Sequence, residues 1–352
     1  MNNDKENYII VEPYLIEVER QIKRFEKVTR IVTLDEEFFN KMGGELINLS
    51  DALIKEDKTI LLDFIPFKDI GSDNQYKRIK KMIDDKNILV VAKEGSLVFY
   101  FNKYKIPLVE CDDTLKIISS PSSIGLGNNM IGKNYFNLHK EYVEDKVFEL
   151  VKKSVRRPPN EGDYIELKDG SAVNMWFDVK GLLEDPKDQL FIAYQLGYLL
   201  TNAYTNKIDE DGFIVSNNNA WALASVLSRI VEKENEKKIY IVDRLGPSPR
   251  INIKWLQEIG QEINGKRLVI VEDLISKGRE VDLLYFFLDY IGVRVKRVIS
   301  LFNLEIAEPI LKGSGDKEVT FLSLCRSLSK ISEYEYVPKY KYDMIQKARL
   351  CP

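Results

Sequence analysis

The chain has 352 residues, of which 44% are apolar and 30% are charged, and its formal net charge is −3. This length predicts two domains, because single hydrophobic cores stop growing at about 250–300 residues. The near balance of charge gives no indication of nucleic-acid binding, and no apolar run approaches the roughly 18 residues that a membrane-spanning helix needs. A cytoplasmic protein is expected.

The cysteines and the histidine limit the chemistry that the chain can perform. Cys111, Cys325 and Cys351 are widely spaced and odd in number, which favours reduced thiols over disulfides or a zinc site. His139 is the only histidine, so multi-histidine metal sites are excluded and a Ser-His-Asp mechanism would depend on this residue. His139 lies in a polar stretch with a helical pattern, and we expect it on the solvated surface.

Apolar runs in the first part of the chain alternate with charged, helix-like segments. Short runs bounded by charged and turn residues are typical of strands that are covered on both faces. Residues 1–138 are therefore predicted to form a small α/β domain of unknown role. The predicted strands are the runs at 28–34, 59–67, 87–92, 97–101 and 114–120.

A turn-rich segment, PSSIGLGNNMIGKN, closes this domain and contains part of a phosphate-binding motif. Gly127, Gly132 and Lys133 follow the order G-x-x-x-x-G-K, but Asn134 replaces the Ser or Thr that would bind magnesium. A proline and two serines also stand where a P-loop needs an apolar strand. A plain connection between domains is favoured over a nucleotide triphosphate site.

From about residue 140 the alternation of strands and helices becomes more regular. This repeat predicts a parallel sheet with helices on both faces, in which ligands bind at the carboxyl ends of the strands. Residues 139–352 are predicted to form this second domain. Its strand-like runs lie at 212–216, 238–243, 268–273 and 293–302.

The stretch LVIVEDLISKGREV places two acids, Glu272 and Asp273, at the end of one of these strands. Adjacent carboxylates at a strand end can accept hydrogen bonds from ribose hydroxyls, or bind a Mg²⁺ ion that is shared with a pyrophosphate. The turn behind them offers backbone amides at a helix N-terminus, which can bind phosphate. Electrostatic capping of the next helix is the simpler alternative for the two acids.

This stretch resembles the ribose-phosphate motif of the type I phosphoribosyltransferases, and the flanking INGKRL and YIGVRVKRVISLFN fit the same register. The segment IELKDGSAVNMWFDVKGLLEDP resembles the N-terminal hood of orotate phosphoribosyltransferases. The resemblance covers residues 140–325 and implies a phosphoribosyltransferase-like parallel sheet preceded by a smaller α/β domain. It also implies phosphoribosyl pyrophosphate or a nucleotide monophosphate as ligand, Mg²⁺ as cofactor, and a homodimer.

The resemblance also assigns roles to individual residues. Glu272 and Asp273 are expected to bind ribose and Mg²⁺. Lys168 and Arg244 match cations of the catalytic machinery, although an ordinary exposed position stays open for both. The other expected ligand-binding residues are Ser276, Lys277, Gly278, Arg279, Glu280, Asn217 and Asn218.

Three departures from the family pattern leave the activity open. Glu280 stands where a Ser or Thr normally donates to phosphate, and its carboxylate repels a dianion. The segment RLGPSPRI keeps only Arg244 of the family's cations and has no histidine to act as general acid. The asparagines of SNNNAW replace a glycine-rich turn. The chain is therefore either a glycosyltransferase that moves phosphoribose to a base, or an inactive ribose-phosphate sensor acting through its N-terminal domain or a protein partner.

Overall fold

The computed structural model describes residues 8–56, 58–83, 87–93, 95–121, 130–160, 162–167, 170–231, 237–242, 253–276, 278–304, 319–326 and 335–350. The chain packs as two compact units. Unit 1 comprises Met1–Val143, Gly197–Lys207 and Ile230–Glu234, and unit 2 comprises Glu144–Leu196, Ile208–Arg229 and Asn235–Pro352. The division into domains 1–138 and 139–352 stays a prediction, because compact packing does not show that a unit folds on its own.

Unit 1 is built around a five-stranded sheet. Its strands are β1 (Tyr8–Val11), β2 (Thr59–Asp63), β3 (Ile88–Lys93), β4 (Leu108–Cys111) and β5 (Ile117–Ser119). Its helices are α1 (Pro13–Lys23), α2 (Glu36–Glu56), α3 (Asp73–Ile83), α4 (Ser96–Lys103) and the start of α5 (Tyr135–Lys153). The strand order is β1-β2-β3-β4-β5, with β1 to β4 parallel and β5 antiparallel to β4. β2 is buried along its whole length, as expected for a parallel strand that is covered on both faces.

Two of the strands predicted in unit 1 are wrong. The run LVFYF lies in α4, where Val98 and Phe101 are buried and Phe99 is exposed, so the apolar residues follow one face of a helix. Short apolar runs fit both the helical and the strand period, which explains the error. The run VTRIVTL contributes only an isolated bridge at Ile31. The sequence pattern also did not indicate β1.

The prediction that His139 lies on the solvated surface is wrong as well. Its exposed fraction is 1%, and its Nε2 atom lies 2.9 Å from Glu12 Oε1. Glu12 precedes His139 by 127 residues, so the local polar pattern around the histidine carries no sign of this partner. Cys111 and Cys325 are buried free thiols, in agreement with the sequence, and Cys351 lies outside the described residues.

The partial phosphate-binding motif between the two predicted domains is described only in part. Asn134 caps α5, because its side-chain oxygen accepts the backbone amide of Asn137 at 3.2 Å. Gly127 lies outside the described residues. In the described part of the motif, Asn134 therefore acts as a helix cap.

Unit 2 contains the longer strands and most of the remaining helices. Its strands are β6 (Val155–Arg156), β7 (Ile165–Glu166), β8 (Ala172–Val173), β9 (Trp176–Phe177), β10 (Gly212–Val215), β11 (Lys238–Ile241), β12 (Arg267–Ile275), β13 (Arg294–Asn303), β14 (Thr320–Arg326) and β15 (Tyr336–Val337). The later helices of the chain are α6 (Val179–Leu183), α7 (Pro186–Leu200), α8 (Asn218–Val231), α9 (Ile253–Ile263), α10 (Arg279–Tyr290) and α11 (Lys339–Leu350).

The main sheet of unit 2 has the order β11-β10-β12-β13-β14, and all neighbouring strands are parallel. Apolar residues of α10, including Leu284 and Leu288, pack against strand residues such as Ile270 and Val298 in a buried core. The predicted α/β class, with a parallel sheet flanked by helices, is confirmed. Among the helices in the described parts of the chain, none is both long and apolar enough to cross a membrane.

Candidate functional site

The candidate site lies where the strand order of the unit 2 sheet reverses. β11 lies on one side of β10 and β12 on the other, so the connections after β10 and β12 lead in opposite directions. Ligands of parallel α/β sheets bind in the crevice beside the carboxyl ends of the strands at such a point. Ser216 and Asn217 follow β10 at this edge, and Glu272 and Asp273 lie near the end of β12.

Asn217 links the ends of the two strands. Its side-chain oxygen accepts the backbone amide of Ala220 at 2.8 Å and thereby caps α8. Its side-chain nitrogen lies 3.1 Å from Glu272 Oε2 and 3.1 Å from Asp273 Oδ1. The cap fixes the orientation of the amide, because a reversed amide would point its oxygen at two carboxyls. Asn217 therefore holds the two acids side by side.

The other carboxyl oxygens also accept hydrogen bonds. The Ser216 hydroxyl donates to Glu272 Oε1 at 2.8 Å, and Asn219 Nδ2 donates to Asp273 Oδ2 at 2.8 Å. The backbone amide of Leu274 donates to Asp273 Oδ1 at 2.8 Å. These donors are all neutral, so they orient the acids without balancing their negative charge.

Burial dominates the electrostatics of Glu272, whose exposed fraction is 2%. Burial raises its pKa well above the usual value and the charge of Asp273 raises it further, whereas hydrogen bonds from Ser216 and Asn217 lower it. The charge of Glu280 also raises this pKa, which places that carboxylate in the same electrostatic environment. The ionised form of Glu272 that a cation prefers is therefore populated only as the pH rises above the ordinary carboxyl range.

The turn after β12 leads into α10. Gly278 precedes the helix at φ 71°, a left-handed conformation that glycine adopts without steric cost. Ser276 is partly buried, whereas Arg279 and Glu280 are exposed at the start of α10. An acid in the first turn is stabilised by the helix dipole. Glu280 therefore competes with an anionic ligand for the positive end of this helix.

Not every predicted site residue is found beside Glu272 and Asp273. Lys168, Arg244 and Lys277 lie outside the described residues. Asn218 is exposed, and within the described part of the chain neither acid accepts a hydrogen bond from it; Asn219 donates to Asp273 instead.

Ser216 was not among the predicted site residues, and Asn219 was indicated only as one of the three asparagines of SNNNAW. The run SNNN after a strand was the available signal. The exact start of the helix decides which asparagine faces the acids, and such boundaries are uncertain by one or two residues even in a structure. The sequence therefore located the asparagine turn but did not show which of its asparagines contact the acids.

The donor atoms at this edge fit only a metal ion that is shared with a ligand. Among the described residues, no group of three His, Cys, Asp or Glu side chains is placed to hold a metal ion by itself. Mg²⁺ is typically bound through one or two carboxylates, with water and ligand phosphates completing its shell. Glu272 and Asp273 fit this smaller set.

Solved structures that resemble the chain include two phosphoribosyltransferases and a UMP synthase. Adenine phosphoribosyltransferase from Thermoanaerobacter pseudethanolicus is 17% identical, with 51% of this chain and 98% of that chain covered and a TM-score of 0.36. Orotate phosphoribosyltransferase from Mycobacterium tuberculosis H37Rv, in complex with phosphoribosyl pyrophosphate, is 15% identical, with coverages of 54% and 99% and a TM-score of 0.38. UMP synthase from Leishmania donovani is 13% identical, with coverages of 92% and 71% and a TM-score of 0.39.

No protein-family model matches the chain, and a comparison with curated proteins gives no match either. At such low TM-scores and identities, the similar structures do not decide the family. Any assignment of function therefore depends on the residues of the site itself.

Proposed function

We propose that unit 2 binds phosphoribosyl pyrophosphate or a nucleotide monophosphate in the crevice between the carboxyl ends of β10 and β12. The observation that carries the proposal is the pair Glu272 and Asp273, held side by side by Asn217 at the point where the strand order reverses. Paired carboxyls at this place match two adjacent ribose hydroxyls, each of which can donate a hydrogen bond.

The two acids have a second proposed role toward Mg²⁺. When bound, Mg²⁺ neutralises the negative charge of the diphosphate group. Asp273 is the better ligand of the pair, because it is less buried than Glu272 and its outer oxygen is engaged only by the side chain of Asn219 in the described contacts. Glu272 is then left to the ribose hydroxyls.

The turn at residues 276–280 is the proposed site for the 5′-phosphate. Gly278 has no side chain to block the approach of a ligand to the backbone, and the amides at the start of α10 are oriented toward the turn. Glu280 opposes this role by its charge. Lys277 and Arg279 are the cations whose charge can offset it.

Transfer of phosphoribose to a base is the proposed reaction. The alternative is a sensor that binds the same ligand without turnover and signals through unit 1 or a partner. One observation favours the sensor: the segment RLGPSPRI contains no histidine. General acid catalysis by a histidine of this segment is therefore excluded from the proposed reaction.

Calorimetric titration of the full-length chain with phosphoribosyl pyrophosphate, with and without Mg²⁺, tests the proposal. We expect saturable binding that is tighter when Mg²⁺ is present. Absence of binding under both conditions contradicts it. Release of pyrophosphate on adding a set of nucleobases then separates the two functions, because a transferase releases it and a sensor does not.

A further inference from the structure

A cluster of buried ionisable side chains lies at the carboxyl edge of the unit 1 sheet. Glu12 directly follows β1 and Asp63 is the last residue of β2, and these strands are parallel neighbours. His139 of α5 and Tyr198 of α7 complete the cluster, and all four residues belong to unit 1. Their exposed fractions are 7%, 0%, 1% and 2% in this order, so water does not screen their charges. We call these four residues the acid–imidazole cluster.

Direct contacts join the four side chains. His139 Nε2 lies 2.9 Å from Glu12 Oε1 and 3.9 Å from Asp63 Oδ2. The Tyr198 hydroxyl donates to Asp63 Oδ2 at 2.8 Å, and its ring stacks on the imidazole with centroids 3.9 Å apart. The backbone amide of Ile65 donates to Asp63 Oδ1 at 2.9 Å. Both carboxyls therefore approach the same nitrogen of the imidazole.

This arrangement favours the uptake of an extra proton. Two carboxylates and one imidazole carry a net negative charge whether or not the ring is protonated, and this charge is costly in an interior without water. Protonation of one carboxyl reduces this charge by one unit. Burial raises the pKa of Asp63 to about 6, and it outweighs the opposing effects of His139 and of the hydrogen bond from Tyr198. The cluster therefore exchanges a proton near pH 6.

Several other groups face the cluster from the surrounding elements. The Tyr135 hydroxyl, one helical turn before His139, is buried and has no hydrogen-bond partner among the described residues. Arg30 donates to the carbonyls of Pro66 and Tyr204. Burial raises the pKa of three neighbouring groups well above their usual values, namely Cys111, Tyr135 and Tyr204. These groups therefore do not exchange the proton at pH 6. Tyr8, the first residue of β1, also raises the pKa of Tyr135 through its charge.

A strained turn adjoins the cluster directly after α7. Asn202, Ala203 and Tyr204 have φ angles of 49°, 58° and 59°. Residues with a Cβ atom rarely adopt this left-handed region, and three in succession persist only while their surroundings hold them in place. The Tyr204 ring packs against the ring of Tyr198, with centroids 5.9 Å apart. The turn is thus held in part by a member of the cluster.

We propose that the acid–imidazole cluster is a proton-operated latch for the end of α7. When Asp63 is protonated, Asp63 and His139 hold Tyr198, and Tyr198 in turn holds the strained turn at residues 202–204. Loss of the proton leaves a buried charge on Asp63, and the cost of its burial outweighs the stronger hydrogen bond that ionised Asp63 accepts from Tyr198, so the cluster weakens and the turn relaxes. Because the proton is bound more tightly in the folded state, the latch is closed below about pH 6 and opens as the pH rises through it.

Amide hydrogen exchange on the full-length chain tests the latch. Protection of residues 135–143 and 197–204 is compared at pH 5 and pH 7.5, after correction for the intrinsic effect of pH on exchange. We expect protection to fall by roughly tenfold or more at the higher pH, because one pKa unit corresponds to a tenfold change in equilibrium. Protection of α3 is the internal reference and should stay constant, since a fall shared by α3 means general destabilisation and overturns a local latch.

Asp63→Asn is the decisive variant, because it keeps the shape of the protonated acid but has no proton to lose. We expect it to show equal protection at the two pH values. Asp112→Asn is the matched control and should keep the wild-type dependence, since hydrogen bonds from Thr114 already lower the pKa of Asp112. Tyr198→Phe supplies a second test if Asp63→Asn does not fold. Loss of its hydroxyl removes a bond that favours ionised Asp63, so the pH dependence should move to higher pH.

Two results overturn the proposal. One is equal protection of the wild-type segments at pH 5 and pH 7.5. The other is an unchanged pH dependence in Asp63→Asn or, should that variant not fold, in Tyr198→Phe. The latch belongs to unit 1 and does not depend on the ribose-phosphate proposal, so either can fail without the other.

Discussion

Glu280 is the residue that decides what the turn after β12 can bind. Its carboxylate lies in the first turn of α10 and contributes to the raised pKa of Glu272. A phosphate dianion at this turn would meet that negative charge, whereas an uncharged ligand could accept or donate hydrogen bonds there. The identity of one side chain therefore separates two classes of ligand.

Glu280→Thr is expected to tighten the binding of phosphoribosyl pyrophosphate. The substitution removes a repulsive charge at the helix N-terminus and supplies a hydroxyl donor, a change of about 1 kcal/mol, or roughly fivefold in affinity. Calorimetry measures the effect, and Asp289→Thr at the other end of α10 is the control. If Glu280→Thr instead weakens binding, Glu280 itself contacts the ligand and the phosphate role of this turn is wrong.

At the scale of elements, β10 and β11 approach each other closely at Gly212. A Cβ atom at this position would overlap the backbone carbonyl oxygen of Lys238 on the neighbouring strand. That oxygen belongs to the sheet and cannot move aside as a flexible side chain can. Gly212 is therefore required by the pairing of β10 with β11.

Gly212→Ala is expected to destabilise unit 2 by about 1–3 kcal/mol, the usual cost of forcing extra atoms into a packed interior. Gly260→Ala in α9 is the matched control, because its Cβ would meet only ordinary contacts with Ile291. The control should be neutral or stabilising by up to about 1 kcal/mol. Urea denaturation followed by tryptophan fluorescence compares the two, and wild-type stability of Gly212→Ala contradicts the close approach.

The elements that sequence reasoning predicted well are those with a long and unambiguous pattern. β12 and β13 are rich in β-branched residues and are separated by a helix whose apolar residues recur at helical spacing, so their type was clear from the chain alone. α4 was mistaken for a strand because LVFYF is too short to show its period. A local pattern determines whether a segment is a helix or a strand only when it is long enough to distinguish the helical period of 3.6 residues from the strand period of 2 residues.

The candidate site was predictable to the extent that its parts are adjacent in sequence. Glu272 and Asp273 lie together in one motif, and the asparagine run follows a recognisable strand. The bridge from Asn217 to both acids spans about 55 residues of chain and depends on β10 pairing with β12, which no local pattern determines. His139 was misplaced for the same reason, since its partner follows a strand at the far end of the chain.

At the scale of the whole molecule, we predict a homodimer. The resemblance to orotate phosphoribosyltransferases implies two-fold assembly, and isologous dimers are the commonest oligomers. Light scattering coupled to size exclusion should return twice the chain mass of 40.8 kDa. A mass equal to that of one chain across a wide range of concentrations contradicts this prediction.

The proposed binding of the ribose-phosphate ligand by Glu272 and Asp273 is tested most directly by one comparison of affinities. Phosphoribosyl pyrophosphate with Mg²⁺ is titrated into the wild type, into Glu272→Gln/Asp273→Asn, and into the charge-matched control Glu258→Gln/Asp289→Asn, whose acids are exposed on α9 and α10. Charge-assisted hydrogen bonds contribute about 1.5–3 kcal/mol each, so the site variant should lose well over tenfold in affinity while the control binds as the wild type does. Equal affinity of the site variant and the control, with the fold of both intact by circular dichroism, contradicts the claim.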